Sequence, residues 1–103
     1  MAWLKTDDDW CFHPKVIPLS LSARGVWFSC ATYCAKKASD YITLPEIRIA
    51  CGGTVSKRLI QELVDAGLWE ARTAGFSFHD WYDYQPSKDQ QEQRRERDRR
   101  RKQ

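Results

Sequence analysis

The sequence predicts an α+β fold, mainly helical with one small β-hairpin, and three observations carry that expectation. Apolar residues recur at helical spacing in two stretches, 23–37 and 54–66. A threonine, proline and glutamate at 43, 45 and 46 form the start signal of a shorter helix between them. Finally, LWEAR (68–72) and FSFHDW (76–81) flank Thr73-Ala74-Gly75, the pattern of strand, tight turn and strand. With 103 residues, 42% hydrophobic and 30% charged, the chain has room for one modest core, unusually aromatic for its five Trp.

Each element has a local cause. Residues 2–6 read as a short strand or extended lead-in that Asp7, Asp8 and Asp9 end. Pro14 and Pro18 limit 13–22 to one short helical turn, and Ser20 or Ser22 is placed to cap the next helix. In that helix, which runs to Lys37, Val26, Trp27, Cys30, Ala31 and Cys34 share one face, and lysines close its C-terminal end. Tyr41–Ile42 reads as a very short strand. Thr43 and Glu46 make a capping box, with Pro45 in the tolerant first turn, for a helix over 44–51. That helix is expected to bury Leu44 and Ile47, joined by Ile49 or Ala50, and Gly52-Gly53 stops it. The next helix, 54–66, carries an apolar stripe of Val55, Leu59, Leu63 and Ala66, widened by Ile60 and Val64, and ends at Gly67. In FHDWYDYQPS (78–87), Trp81 and Tyr84 are expected to pack the returning strand onto the helices. His79 and Asp80 fall on opposite faces of a regular strand, which makes them a poor catalytic dyad.

Charge divides the chain in two. Residues 1–86 carry nine Lys/Arg and ten Asp/Glu, whereas residues 87–103 carry eight Lys/Arg and four Asp/Glu. A near-neutral domain (1–86) is therefore expected to end in a basic, arginine-rich tail (87–103) without an apolar residue, disordered or a single charged helix. No apolar run is long enough to span a bilayer, and MAWLKTDDDW turns acidic at once, unlike a secretory leader, so a cytoplasmic protein with no membrane partner is expected. A zinc site drawing on Cys11, His13, Cys30, Cys34 and Cys51 lacks the close ligand pairs of structural sites, and buried free thiols are the expected role. No nucleophile, base and orienting group fall at a suggestive spacing, and no glycine loop cradles a phosphate. Neither catalysis, a metal nor a cofactor is expected.

Supporting helix, two-helix unit with a glycine turn, then hairpin is the order of a winged helix-turn-helix. A major groove about 12 Å wide admits one helix, whose N-terminal half meets base edges while its other side packs on the domain. The outward residues of 54–66 that could do this are Thr54, Ser56, Lys57, Arg58 and Gln61. Arg72 and Thr73 stand near the hairpin tip, within reach of a minor groove or backbone. In the tail Arg94, Arg95, Arg97, Arg99, Arg100, Arg101 and Lys102 offer a handle for phosphates. Engagement of about five of them steepens the salt dependence of binding by roughly four to five log units per log unit. Glu92, Glu96 and Asp98 interleave as they do in a charged helix or linker. No heptad repeat announces a dimerising helix.

WLKTDDD (3–9), HPKV (13–16), LSARGVW (21–27), ELVDAGLWE (62–70) and FHDWYDYQPS (78–87) carry a family likeness. With these motifs the chain, to about residue 90, resembles the N-terminal domain of phage and prophage replisome-organiser proteins, winged-helix replication-initiation proteins, most of all those of actinobacterial phages. The resemblance implies binding to double-stranded phage origin DNA in a bacterial host cell and recruitment of replication proteins such as a helicase or its loader. Two other functions remain open to the same elements. One is a phage transcriptional regulator, and the other a small phage protein that binds and inhibits a host enzyme or defence complex through its winged-helix surface. A contiguous exposed aromatic patch in place of a basic face is the feature expected of the inhibitor.

Overall fold

The computed structural model describes residues 4, 6, 8–79, 81, 96, 97 and 99. A 3-10 turn at Trp10–Phe12 leads into helix α1 (Leu21–Lys37), strand β1 (Tyr41–Thr43), helices α2 (Leu44–Cys51) and α3 (Lys57–Asp65), and strands β2 (Trp69–Arg72) and β3 (Gly75–Phe78). Among the described residues the fold is α+β, three helices with a three-stranded antiparallel sheet, and no helix is long and apolar enough to cross a membrane.

Helix ends follow the local chemistry closely. Ser20 Oγ accepts the Ala23 N–H at 3.1 Å and starts α1 two residues earlier than the apolar pattern suggests. At its other end Ala38, at φ 56, takes the left-handed position: its N–H donates to Ala35 O and that of Ser39 to Cys34 O. The capping box of α2 is formed, with Thr43 Oγ1 accepting from the Glu46 N–H and Glu46 Oε1 accepting from the Thr43 N–H at 3.0 Å. Gly67, at φ 81, lets the Leu68 N–H turn back to Leu63 O and closes α3.

Two expectations about the helices are corrected. In α2 only Ile47 is buried; Leu44 is 45% and Ile49 68% exposed, while Ala50 is half-buried. Two turns packed along one side of α1 can bury one narrow strip, and Ile49 lies two residues, about 200°, round the helix from Ile47. Helix α3 starts at Lys57, not at 54, because Ser56 is in extended backbone and its hydroxyl accepts the Leu59 N–H at 3.4 Å. Val55 just before that cap and Ile60 at the fourth helical position stand where a hydrophobic staple fixes chain entry, and both join the core.

Sheet order β1-β3-β2 places β3 in the centre. Tyr41–Thr43 is therefore no isolated strand: it pairs with Gly75–Ser77, and β2 pairs with the other edge of β3 through Trp69↔Phe78 and Arg72↔Gly75. The expected strand 76–81 ends at Phe78. The inner face presents Ile42, Trp69 and Phe78, all buried, and half-buried Phe76. Behind them stand Ala23, Val26, Cys30, Ala31 and Cys34 of α1, with Ile47, Ile60 and Leu63. Trp81 lies beyond the strand but packs as expected, 5% exposed with its ring 4.8 Å from that of Phe78. An aromatic chain runs on through Phe78–Trp27 (5.8 Å) and Trp27–Trp10 (5.2 Å). Asp80, Tyr84, most of the 2–6 segment and the boundary at 86 lie outside the described residues.

Candidate nucleic-acid interface

Ile60 and Leu63 lock one side of α3 into the core, so the side about half a turn away meets solvent. Lys57, Arg58, Gln61 and Asp65 occupy it, all exposed. Lys57 and Arg58 are the first two helical residues, and no acidic residue joins them in the first turn. Their charges add to the partial positive charge of the helix N-terminus, which makes this end attractive to an anion. Further along the polarity reverses: Gln61 Nε2 donates to Asp65 Oδ1 at 2.7 Å. Glu62 accepts from the Ser20 N–H and hydroxyl, both at 2.9 Å, and these bonds, with the Arg58 charge nearby, hold its carboxyl below the usual range.

The predicted contact residues are thus unequal. Lys57 and Arg58 are outward and helical; Thr54 is exposed but lies in the connection 52–56, ahead of the helix. Ser56 is exposed with its oxygen engaged as the cap, and Gln61 is engaged by Asp65. At the hairpin, Arg72 does not project freely. Its guanidinium donates from Nη2 to Glu70 Oε2 at 2.7 Å and from Nε to Ser77 Oγ at 3.0 Å, lying along the outer face of the sheet. Thr73 is exposed, and its carbonyl accepts the Tyr41 hydroxyl at 2.6 Å. In the tail Arg97 and Arg99 are exposed on helical backbone; Arg94, Arg95, Arg100, Arg101 and Lys102 lie outside the described residues.

Arg48, exposed in the last turn of α2, was absent from the predicted set. Among the described residues neither Arg48 nor Lys57 is held in an ion pair, whereas Lys37 is paired with Glu46 at 2.8 Å. The signal that could have found Arg48 is its place one residue after Ile47, which turns it away from the core.

The residues that hinted at chemistry are accounted for by packing. His79 Nδ1 lies 3.1 Å from Glu70 Oε1, so its carboxylate partner comes from β2. That bond, with Arg72 second, holds the Glu70 carboxyl below its ordinary value. Cys30 and Cys34 are buried, Cys51 half-buried, and Cys30 Sγ is 3.9 Å from Cys51 Sγ. Burial pushes the Cys34 thiol up to about 12 and raises the Cys30 thiol further. Cys11 and His13 are exposed at the opening turn, and His13 Nδ1 accepts the Lys15 N–H at 3.1 Å. Among the described residues no group of three His, Cys, Asp or Glu side chains is arranged to hold a metal ion.

No protein-family model matches the chain, and neither a curated protein nor a solved structure matches it.

Proposed function

We propose that the chain is a winged helix-turn-helix protein of phage or prophage origin that binds double-stranded DNA in the bacterial cytoplasm. It acts in replication initiation by binding rather than catalysis, engaging an origin and bringing replication proteins such as a helicase or its loader to it. The observation that carries this reading is the outward N-terminal turn of α3, where Lys57 and Arg58 stand exposed and without an acidic neighbour in that turn, on a helix whose other side is anchored in the core. Such an end offers backbone N–H groups, the helix dipole and two cations to a phosphate or guanine edge. Exposed Arg48 on the preceding helix adds a further cation. The order α1, α2, α3 and hairpin supports the winged-helix reading, with β2–β3 as the wing and β1 as its third strand. Transcriptional regulation draws on the same surface. A host-directed inhibitor would use a different surface: Trp69 and Trp81 are buried, but Phe12 and Phe28 are exposed, with half-buried Trp10 against Phe28.

The test is a titration of the full chain against duplex DNA over a range of salt. Parent protein is expected to bind with a steep salt dependence. The double variant Lys57→Ala/Arg58→Ala should bind at least tenfold more weakly, with a log–log slope shallower by about two. Truncation after Ser87 should reduce the slope further. Parent protein without salt-dependent affinity for duplex would overturn the reading; a double variant that binds like the parent would overturn the assigned face.

A further inference from the structure

Helix α1 is apolar on more sides than its own domain covers. Ala23, Val26, Cys30, Ala31, Cys34 and Ala35 fill its inward side. A second row, Leu21, Gly25, Phe28 and Thr32, follows the i, i+4, i+7, i+11 path of one helix face and points to solvent. Leu21 is 85% exposed and Phe28 36%. Solvent-facing helix sides ordinarily carry charge. From Leu21 to Ala35 the only charged residue is Arg24, and it turns its guanidinium back to the carbonyls of Val16 (3.2 Å) and Ile17 (3.3 Å).

Gly25 is the second observation. A glycine in a helix interior costs about 1 kcal/mol relative to alanine. Its conformation is not left-handed, and a Cβ there would meet nothing within 4 Å, so no contact inside the domain requires the missing side chain. A bare position between a leucine and a phenylalanine is a place where a second backbone can approach.

We propose that this row is a homodimer interface, in which α1 of a second copy packs antiparallel across it about a two-fold axis at Gly25. The first three positions of the row are self-complementary: Leu21, Gly25 and Phe28 run large, small, large, so Leu21 of each copy meets Phe28 of the other and the two glycines face at the crossing, with Thr32 beyond it. Lack of charge along the row lets two identical surfaces meet without like-charge repulsion. The antiparallel arrangement also keeps the lysines at the C-terminal ends of the two α1 helices apart. The half-buried Trp10 ring lies tilted beside the row, 4.5 Å from that of Phe28, and Phe12 and Ile17 are exposed in the segment that leads into α1. Phe12, Ile17, Leu21 and Phe28 together offer roughly 400–500 Å² of apolar surface, against about 800 Å² per partner in a standard interface. The dimer is therefore weak and reversible. It does not depend on DNA binding.

Sedimentation velocity of the full chain from about 10 μM to about 1 mM, the range that reads association free energies near −4 to −7 kcal/mol, tests this. A reversible monomer–dimer equilibrium is expected. Gly25→Glu and Leu21→Glu should each weaken it at least tenfold while leaving far-ultraviolet circular dichroism unchanged. Gly25→Ala separates folding from association: it should raise the unfolding temperature of dilute protein through better helix propensity, yet weaken the dimer because two methyl groups part the helices. A parent chain that stays monomeric to about 1 mM overturns the proposal, as does a dimer that all three variants form as readily as the parent.

Discussion

Ala38 and Ala74 hold left-handed backbone, at φ 56 and φ 62, where a Cβ costs about 1–2 kcal/mol. Ala38 closes α1 and Ala74 sits in the two-residue turn between β2 and β3. Ala38→Gly is expected to raise stability by about 0.5–1 kcal/mol, the relief of strain exceeding glycine's extra unfolded-state entropy. Urea denaturation at unchanged m-value measures it. Gly75 behaves oppositely: a Cβ there would run into the Ile42 carbonyl and come within 2.9 Å of the Tyr41 ring. Gly75→Ala should cost about 2–3 kcal/mol by overpacking, read in the same assay. Gly67 was legible in sequence because a glycine at a helix end announces its conformation. The same role at Ala38 was not, since alanine announces nothing and only the two closing hydrogen bonds reveal it.

At the scale of elements, α2 depends on its first turn. Lys37 Nζ, 2.8 Å away, is the main influence on Glu46, and the Thr43 N–H and hydroxyl add to it, lowering the carboxyl from 4.5 to about 2. A depressed value means that the folded state prefers the ionised form. Its stabilisation is complete above the ordinary value of 4.5 and is lost as pH falls through about 2. Urea unfolding across that window should show the loss in the parent and less of it in Glu46→Gln, which can still fill the box. Thr43→Ala should cost about 1 kcal/mol at neutral pH. On α3, Ser56→Asp separates cap from contact. Aspartate caps as well as serine, so stability should change by no more than about 0.5 kcal/mol, while a carboxylate beside Lys57 should weaken duplex binding. The capping box and the α2 span were readable because they rest on neighbours in sequence. The start of α3 was misplaced by three residues because the apolar stripe continues through Val55 without marking which residue caps.

For the whole molecule, Leu63 is the joint between the candidate recognition helix and the core, with no exposed surface. Leu63→Ala should cost about 3–4 kcal/mol, a large part of the roughly 5–15 kcal/mol typical of such a domain. A fall in denaturation midpoint of that size checks it. The aromatic core was foreshadowed by five Trp, and Trp81 packs as expected. The third strand of the sheet, the Glu70–His79 and Glu70–Arg72 contacts and the exposure of Leu44 and Ile49 were not legible. The third strand and the His79 contact depend on residues the fold brings together, the Glu70–Arg72 pair on both side chains lying on one face of β2, and the exposures on which side of a short helix finds a neighbour. The predicted contact set was legible as a polar face of α3, but not in its engagements: the bonds of Gln61 to Asp65 and of Ser56 to Leu59 are local, whereas that of Arg72 to Ser77 needs the hairpin register.

Sequence by itself determined what local physics decides: the three helices, the capping box of α2 and the glycine end of α3, the hairpin turn, the buried side of α1, and the contrast between a near-neutral body and a basic tail. These depend on residues within a few positions of one another, where spacing, backbone preference and side-chain oxygens act without a partner from elsewhere. Only the tertiary structure decided that β3 lies between β1 and β2, that Arg72 is tied to the sheet, and that α1 keeps an uncharged apolar row in solvent. Those outcomes turn on which surfaces meet, and burial is a property of the packed pair, not of either segment alone.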